Sequence, residues 1–433
     1  MSADEAQYKI TAAEATELAT RAATAFRPRT PINHREFFAG RWGQVTTVSD
    51  AVAQTGVHIV IFGERGVGKT SLANVIDPLL QWMDEKTAAQ GVPRRLVVKV
   101  NAASEDTFAV IWKRALDEIT VVDNTPRIGF DRTGTQKRIL LREAWSIGDN
   151  PSIDDIRRVL GALTRSVFIF DEFDRTPPEV KQAFTDLIKV LSDYAVDVTI
   201  VIVGVSTTVD DLVRGHASIS RSVVQVQLPR MNRDELQDIL QKASAALNVV
   251  FAQEAEYLIV HVSQGLPHYT HLIGLHSVRA ATQRLSRLIN SDDVIASFGK
   301  AVEQAIQSIR EKYLLAIRSS RKDALYAQVV LACASAAFTC RDELGYFHPA
   351  DVMRPMSIIL KRPRVTIATF RQHLNDFCEI DHGPVLERIG SPHSYSYRFC
   401  DPLLPPFIFM NAMSSGIIDA AGLEILTSIP QPN

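Results

Sequence analysis

Eight consecutive residues, Gly63-Glu64-Arg65-Gly66-Val67-Gly68-Lys69-Thr70, carry the spacing G-x-x-x-x-G-K-[ST]. Phosphate oxygens need many donors at close range. Glycines let backbone N–H groups converge on one anion with no Cβ in the way. Lys69 is spaced to meet the β- and γ-phosphates, and the Thr70 hydroxyl to complete the shell of a Mg²⁺ ion. A helix opening here, with Ser71 in its first turn, aims its positive dipole end at the same anion. A plain glycine turn between strand and helix does not account for Lys69-Thr70. The expected ligand is a nucleoside triphosphate.

Such a site needs a carboxylate at the carboxyl end of a neighbouring strand. Val167-Phe168-Ile169-Phe170-Asp171-Glu172 supplies four apolar residues and then two acids, where ligands bind in open α/β sheets. Asp171 is the expected Mg²⁺ residue, directly or through water. Glu172 is the expected base, orienting and deprotonating the water that attacks the γ-phosphate. Asp174 and Arg175 follow at once and read as solvated turn charges.

The elements that must position these residues are legible in the same stretch. From about 46 to 230, apolar β-branched runs alternate with helical patterns, which predicts a parallel sheet covered on both faces. The expected strands are Val57–Phe62, Leu96–Val100, Val167–Phe170, Thr199–Val203 and Val223–Leu228, each read as an apolar run without alternation. Thr176-Pro177-Pro178-Glu179 predicts a capping box ahead of a helix with its stripe at Val180, Phe184, Leu187, Ile188 and Leu191. Thr120 to Asn150 lacks periodicity and reads as an insertion or mobile loop.

Residues 1–45 read as an arm with a short helix, ended by Pro28 and Pro31. After Pro229 the pattern is helical: Asn232-Arg233-Asp234-Glu235 opens one helix, and Ala252–Val262, His268–Leu288 and Asp292–Ile317 follow. Residues 319–410 give three helices and two short strands, an order that suggests a winged-helix domain. The tail 411–433 carries no signal.

Composition bounds the rest. The 433 residues hold 47 Lys+Arg against 49 Asp+Glu, a net charge of −2, which excludes a chain basic throughout but permits a local basic patch. Cys333, Cys340, Cys378 and Cys400 contain no C-x-x-C pair, so no disulfide or zinc framework is expected. The start MSADEAQYKI has acids and no apolar run, and so no signal peptide is read there. Ala324 to Cys340 is apolar, but Gln328, Ser335 and Thr339 interrupt it, and a buried helix fits it better than a membrane span. A cytoplasmic chain without a membrane partner is expected.

The motifs resemble the AAA+ superfamily of P-loop ATPases, and within it the clade around replication-origin initiators and related bacterial ATPases. That resemblance implies an α/β nucleotide core (46–230), an α-helical lid (231–318) and the C-terminal winged helix (319–410). It also implies ATP with Mg²⁺ as cofactors. Phe38-Ala39-Gly40-Arg41 is similar to the box that precedes the cradle and contacts adenine, which nominates Arg41. Thr199–Ser206 is similar to the sensor-1 strand, placing Ser206 or Thr207 near the γ-phosphate. Gly215 to Arg221 resembles the box with the arginine finger, Arg221 being the candidate and Arg214 the alternative.

Such a finger reaches the phosphate of a neighbouring copy, and an ATP-dependent homo-oligomer is implied. Where the family carries a sensor-2 arginine, Gly265-Leu266-Pro267-His268 puts His268; either His268 or Arg279 substitutes, or lid coupling is altered. The winged helix implies duplex DNA or a protein as partner. Arg354, Lys361, Arg362, Arg364 and Arg371 favour DNA, whereas Glu379, Asp381 and Glu387 favour protein.

Overall fold

The structure, a computed structural model, describes residues 7–28, 39–87, 94–123, 137–206, 208–213, 219–321, 324–342, 344–391 and 394–428. Phe38, Thr207, Arg214 and the stretch 215–218, on which expectations fell, lie outside the described residues. The chain divides into two compact units, Pro31–Pro229 and Met1–Thr30 with Arg230–Asn433.

The first helix, α1 (Ala12–Ala25), opens with a capping box in which Thr11 and Glu14 exchange bonds. It packs on helices of the later part of the chain, within the second unit. The Pro31–Pro229 unit then runs α2 (Trp42–Val52), β1 (His58–Gly63), α3 (Lys69–Thr87), β2 (Leu96–Asn101), α4 (Phe108–Asp117), β3 (Thr120–Asp123), β4 (Lys137–Leu140), α5 (Leu141–Ala144), α6 (Ile153–Ala162), β5 (Ser166–Asp171), α7 (Pro178–Asp193), β6 (Val198–Val205) and β7 (Val223–Gln227).

All neighbours in the five-stranded sheet β2-β5-β6-β1-β7 are parallel. The five expected strands are present, with ends shifted by one or two residues. β1 and β5 are buried along their whole length, as continuous Val, Ile and Phe runs require when helices cover both faces. The core gathers on Trp112 of α4. Its ring stacks on Phe184 of α7 with centroids 5.9 Å apart and lies 5.4 and 5.2 Å from Phe168 and Phe170 of β5.

Two local expectations change. The Thr176 box does not form: α7 starts at Pro178 without a side-chain cap, because the Thr176 hydroxyl donates to Phe173 O at 2.8 Å and closes a 3-10 turn instead. Within Thr120–Asn150, β3 and β4 pair antiparallel and α5 follows, although 124–136 lies outside the described residues. Short strands without alternation leave no periodic trace.

The second unit continues with α8 (Arg233–Leu247), β8 (Val250–Phe251), α9 (Gln253–Ser263), α10 (Pro267–Gln283), β9 (Leu288–Ile289), α11 (Ser291–Gln304) and α12 (Gln307–Ala316). Asn232 and Glu235 form the capping box expected of them. The pattern read as one helix over Asp292–Ile317 is two, because Ala305 and Ile306 turn to extended backbone between them.

Beyond these lie α13 (Tyr326–Thr339), a one-residue bridge Phe347–Tyr397, α14 (Pro349–Ile359), α15 (Arg371–Asp376), and the antiparallel pair β10 (Leu386–Ile389) and β11 (Ser396–Phe399). This is the winged-helix order. α13 is buried from Val329 to Ala337. No helix among the described residues is long and apolar enough to cross a membrane. Near the end, α16 (Leu404–Ser414) buries Phe407, Ile408, Phe409 and Met410, and α17 (Ala420–Thr427) receives the Ser335 hydroxyl on Leu426 O. Of the two, α17 lies within 411–433, where the sequence carries no signal.

Candidate nucleotide site

The parallel sheet puts the carboxyl ends of β1, β5 and β6 along one edge, with β6 between the other two. Gly63 ends β1 at φ +153°, and a Cβ there would stand 2.3 Å from Leu228 O. Only glycine lets the cradle turn away this close to the neighbouring chain. Gly66 and Gly68 also lie at positive φ, and α3 starts at Lys69. Its first turn carries Thr70 and Ser71, both half-buried.

Lys69 is buried, and its Nζ donates to Gly63 O at 3.0 Å and Glu64 O at 2.7 Å. Burial lowers its pKa to about 8, against the opposing pull of Asp174, Asp171 and Glu64. A triphosphate in the cradle would offer Lys69 charged acceptors in place of those carbonyls. Arg41 sits behind the loop in a left-handed conformation, buried; its Nη2 donates to Pro229 O and reaches Val67 O at 3.5 Å. It braces the cradle from below.

Asp171 is buried at the end of β5. Its Oδ1 accepts the Glu172 N–H at 2.9 Å, whereas Oδ2 meets no aligned donor among the described residues and faces the Lys99 ammonium at 2.9 Å as a charge contact. A buried carboxylate oxygen without an aligned donor, beside a helix that offers Thr70, suits a hard cation such as Mg²⁺. Among the described residues no cluster of three or more His, Cys, Asp or Glu could hold a metal alone. A metal here would draw its other oxygens from the phosphates and water.

Glu172 also stands in the left-handed region, at φ 57°, a strain that clusters at functional positions. Its Oε2 pairs with Arg175 Nη1 at 2.9 Å. Asp174 is more than a solvated charge: its Oδ1 accepts Val205 N–H at 2.8 Å and ties the turn after β5 to the end of β6. Lys181 adds to the tie by donating to Asp174 O and Asp211 O. The Ser206 hydroxyl is engaged by its own loop, 2.6 Å from both Thr208 O and Asp211 Oδ2.

Arg221 is exposed just before β7, whose Val223 pairs with His58 at the start of β1. It therefore lies at the sheet edge opposite the cradle, roughly 20 Å away along a six-residue strand. His268 belongs to the other unit. Its Nδ1 bonds Pro28 O at 2.8 Å, and Arg279 lies further along the same helix, half-buried.

The structure thus brings Arg41, the 63–71 loop, Asp171 and Glu172 into one unit with Ser206, and sets Arg221 at that unit's far edge. Lys99, Asp174 and Arg175 were missed as working residues. Lys99 did leave a signal, as the one charge inside an otherwise apolar strand.

A glycine cradle on a parallel sheet, with Asp-Glu two strands away, defines a P-loop NTPase. The model of the nSTAND1 family, Novel STAND NTPase 1, matches residues 25–316, and the chain belongs to that family. Cdc6p of Pyrobaculum aerophilum is 17% identical with a TM-score of 0.45, over 91% of this chain and 98% of that one. ORC1 of Aeropyrum pernix, solved in complex with DNA, is 14% identical with a TM-score of 0.46, over 87% and 92%. A Walker-type ATPase of Pyrococcus abyssi is 12% identical with a TM-score of 0.47, over 88% and 99%. Comparison with curated proteins finds no match.

Proposed function

We propose that the chain is an ATP-binding and ATP-hydrolysing switch that couples Mg-ATP turnover to assembly on duplex DNA. One observation carries the DNA half. Between Asp351 and Asp376 the sequence holds Arg354, Lys361, Arg362, Arg364 and Arg371 and no acid. All five are exposed, and none is ion-paired among the described residues. Like charges left unpaired on one short stretch repel, and a polyanion relieves that repulsion while releasing its own counterions. The stretch covers the end of α14 and the start of α15, the helices that a winged-helix domain presents to DNA.

In this reading the Gly63–Thr70 backbone and Lys69 hold the triphosphate, and Thr70 and Asp171 hold Mg²⁺. The metal would neutralise charge on the phosphates. Glu172 turns from Arg175 to orient a water and take its proton. Arg221, at the edge away from its own cradle, serves the neighbouring copy in an oligomer.

The test is ATP hydrolysis with and without duplex DNA, together with DNA affinity as a function of salt. DNA should raise a Glu172-dependent rate, and replacing Lys361 or Arg364 by Ala should lower the salt slope by about one each. A flat salt slope would reject DNA. Ile380, 85% exposed between the acids Glu379 and Asp381, favours the other reading, a signalling or scaffold ATPase whose winged helix docks a protein.

A further inference from the structure

Lys99 is the fourth residue of β2 and pairs in register with Ile169 of β5. The two share a face of the sheet, and Asp171, two residues past Ile169, shares it too. The Lys99 side chain therefore runs diagonally to the carboxylate. Its Nζ stands 2.9 Å from Asp171 Oδ2 and donates to Asn74 Oδ1 at 2.5 Å. Asn74 lies on α3 one turn past Thr70, on the same helix face. The Asp171 side chain is 4% exposed and that of Lys99 25%.

We propose that Lys99 is a positioning residue whose ammonium occupies the metal-facing oxygen of Asp171 and keeps free divalent cations out until a nucleotide brings one. A buried carboxylate needs a partner charge, and Lys99 supplies it in the nucleotide-free protein. With the pair neutral, a free divalent ion meets no net attraction at Asp171 and is repelled by the ammonium. A triphosphate in the cradle reverses that balance through its own negative charge, so metal and nucleotide enter together. Asn74 holds the ammonium on station.

The inference rests on Asp171 being the metal residue, and the experiment separates the two. Binding of Mn²⁺ alone to nucleotide-free protein is measured from the electron paramagnetic resonance signal of free Mn²⁺. Wild type and Lys99→Arg should bind weakly, whereas Lys99→Met should bind at least tenfold tighter. Lys99→Gln, which keeps a donor for Asn74 and Asp171, serves where the Met variant does not fold. Adding Asp171→Asn should abolish the gain. Equal Mn²⁺ affinity in wild type, Lys99→Met and Lys99→Gln overturns the proposal. In parallel, the Mn²⁺ dependence of ATP affinity is measured for Asp171→Asn. Loss of that dependence while the Lys99 variants bind Mn²⁺ like wild type sinks only the Lys99 proposal. Its retention removes the metal-site reading and the proposal with it.

Discussion

At the scale of single residues, Glu172 and Arg175 form an ion pair beside the cradle. The proposed base, Glu172, is paired to a guanidinium three residues on, and both side chains are about half exposed, so the pair is a weak restraint. Glu172→Gln should leave ATP binding intact and cut hydrolysis by about 10²–10⁴-fold, measured as phosphate release at saturating ATP. Arg175→Ala should do the reverse, raising basal turnover severalfold because the carboxylate no longer has a competing partner. An unchanged basal rate would mean that the ion pair does not restrain the base. Asp174, read from sequence as a surface charge, is fixed by Val205 N–H, a partner 31 residues away. Nothing in its local sequence distinguishes it.

At the scale of elements, two capping signals of the same kind had different fates. Asn232 and Glu235 exchange side-chain and backbone bonds at 2.9 Å and start α8. Asn232→Ala should cost about 1 kcal/mol, read from urea unfolding, by leaving first-turn N–H groups without an acceptor. Thr176 carries the same chemistry, but its hydroxyl is taken by Phe173 O within the tight turn after β5. Asp174 ties that turn to the end of β6 through Val205 N–H, so tertiary structure overrode the local preference. The central strands β1, β5 and β6 were legible for the opposite reason: burial on both faces demands continuous apolar runs, whereas β2 and β7 at the sheet edges carry polar residues and are partly exposed.

At the scale of the whole molecule, each unit buries a neutral histidine. His58 starts β1 with Nδ1 accepting Ile200 N–H at 3.0 Å, and burial lowers its pKa to about 4. His271 in α10 has no hydrogen-bond partner on either ring nitrogen among the described residues, and burial likewise lowers its pKa to about 4. The unfolded chain binds these protons near pH 6.5 and the folded chain only near 4. Stability present above pH 6.5 is therefore lost as pH falls through this window. By pH 5 each group should remove about 2 kcal/mol, checked by urea unfolding of wild type and His58→Gln at pH 7.5 and 5. A pH-independent midpoint would contradict this account.

By itself the sequence determined the glycine-rich loop Gly63–Thr70, the Asp171-Glu172 pair at a strand end, the central strands β1 and β5 that carry them and the order of the C-terminal helices and strands, because each is written in residues adjacent along the chain. Tertiary structure decided what those residues meet. Lys99 and Asp171 lie 72 positions apart and touch because β2 and β5 are neighbours in register. The burial of α16 likewise depends on helices brought to it from elsewhere in its unit. Charge pairing and burial depend on distance in space, and strand order, which local sequence does not encode, sets that distance.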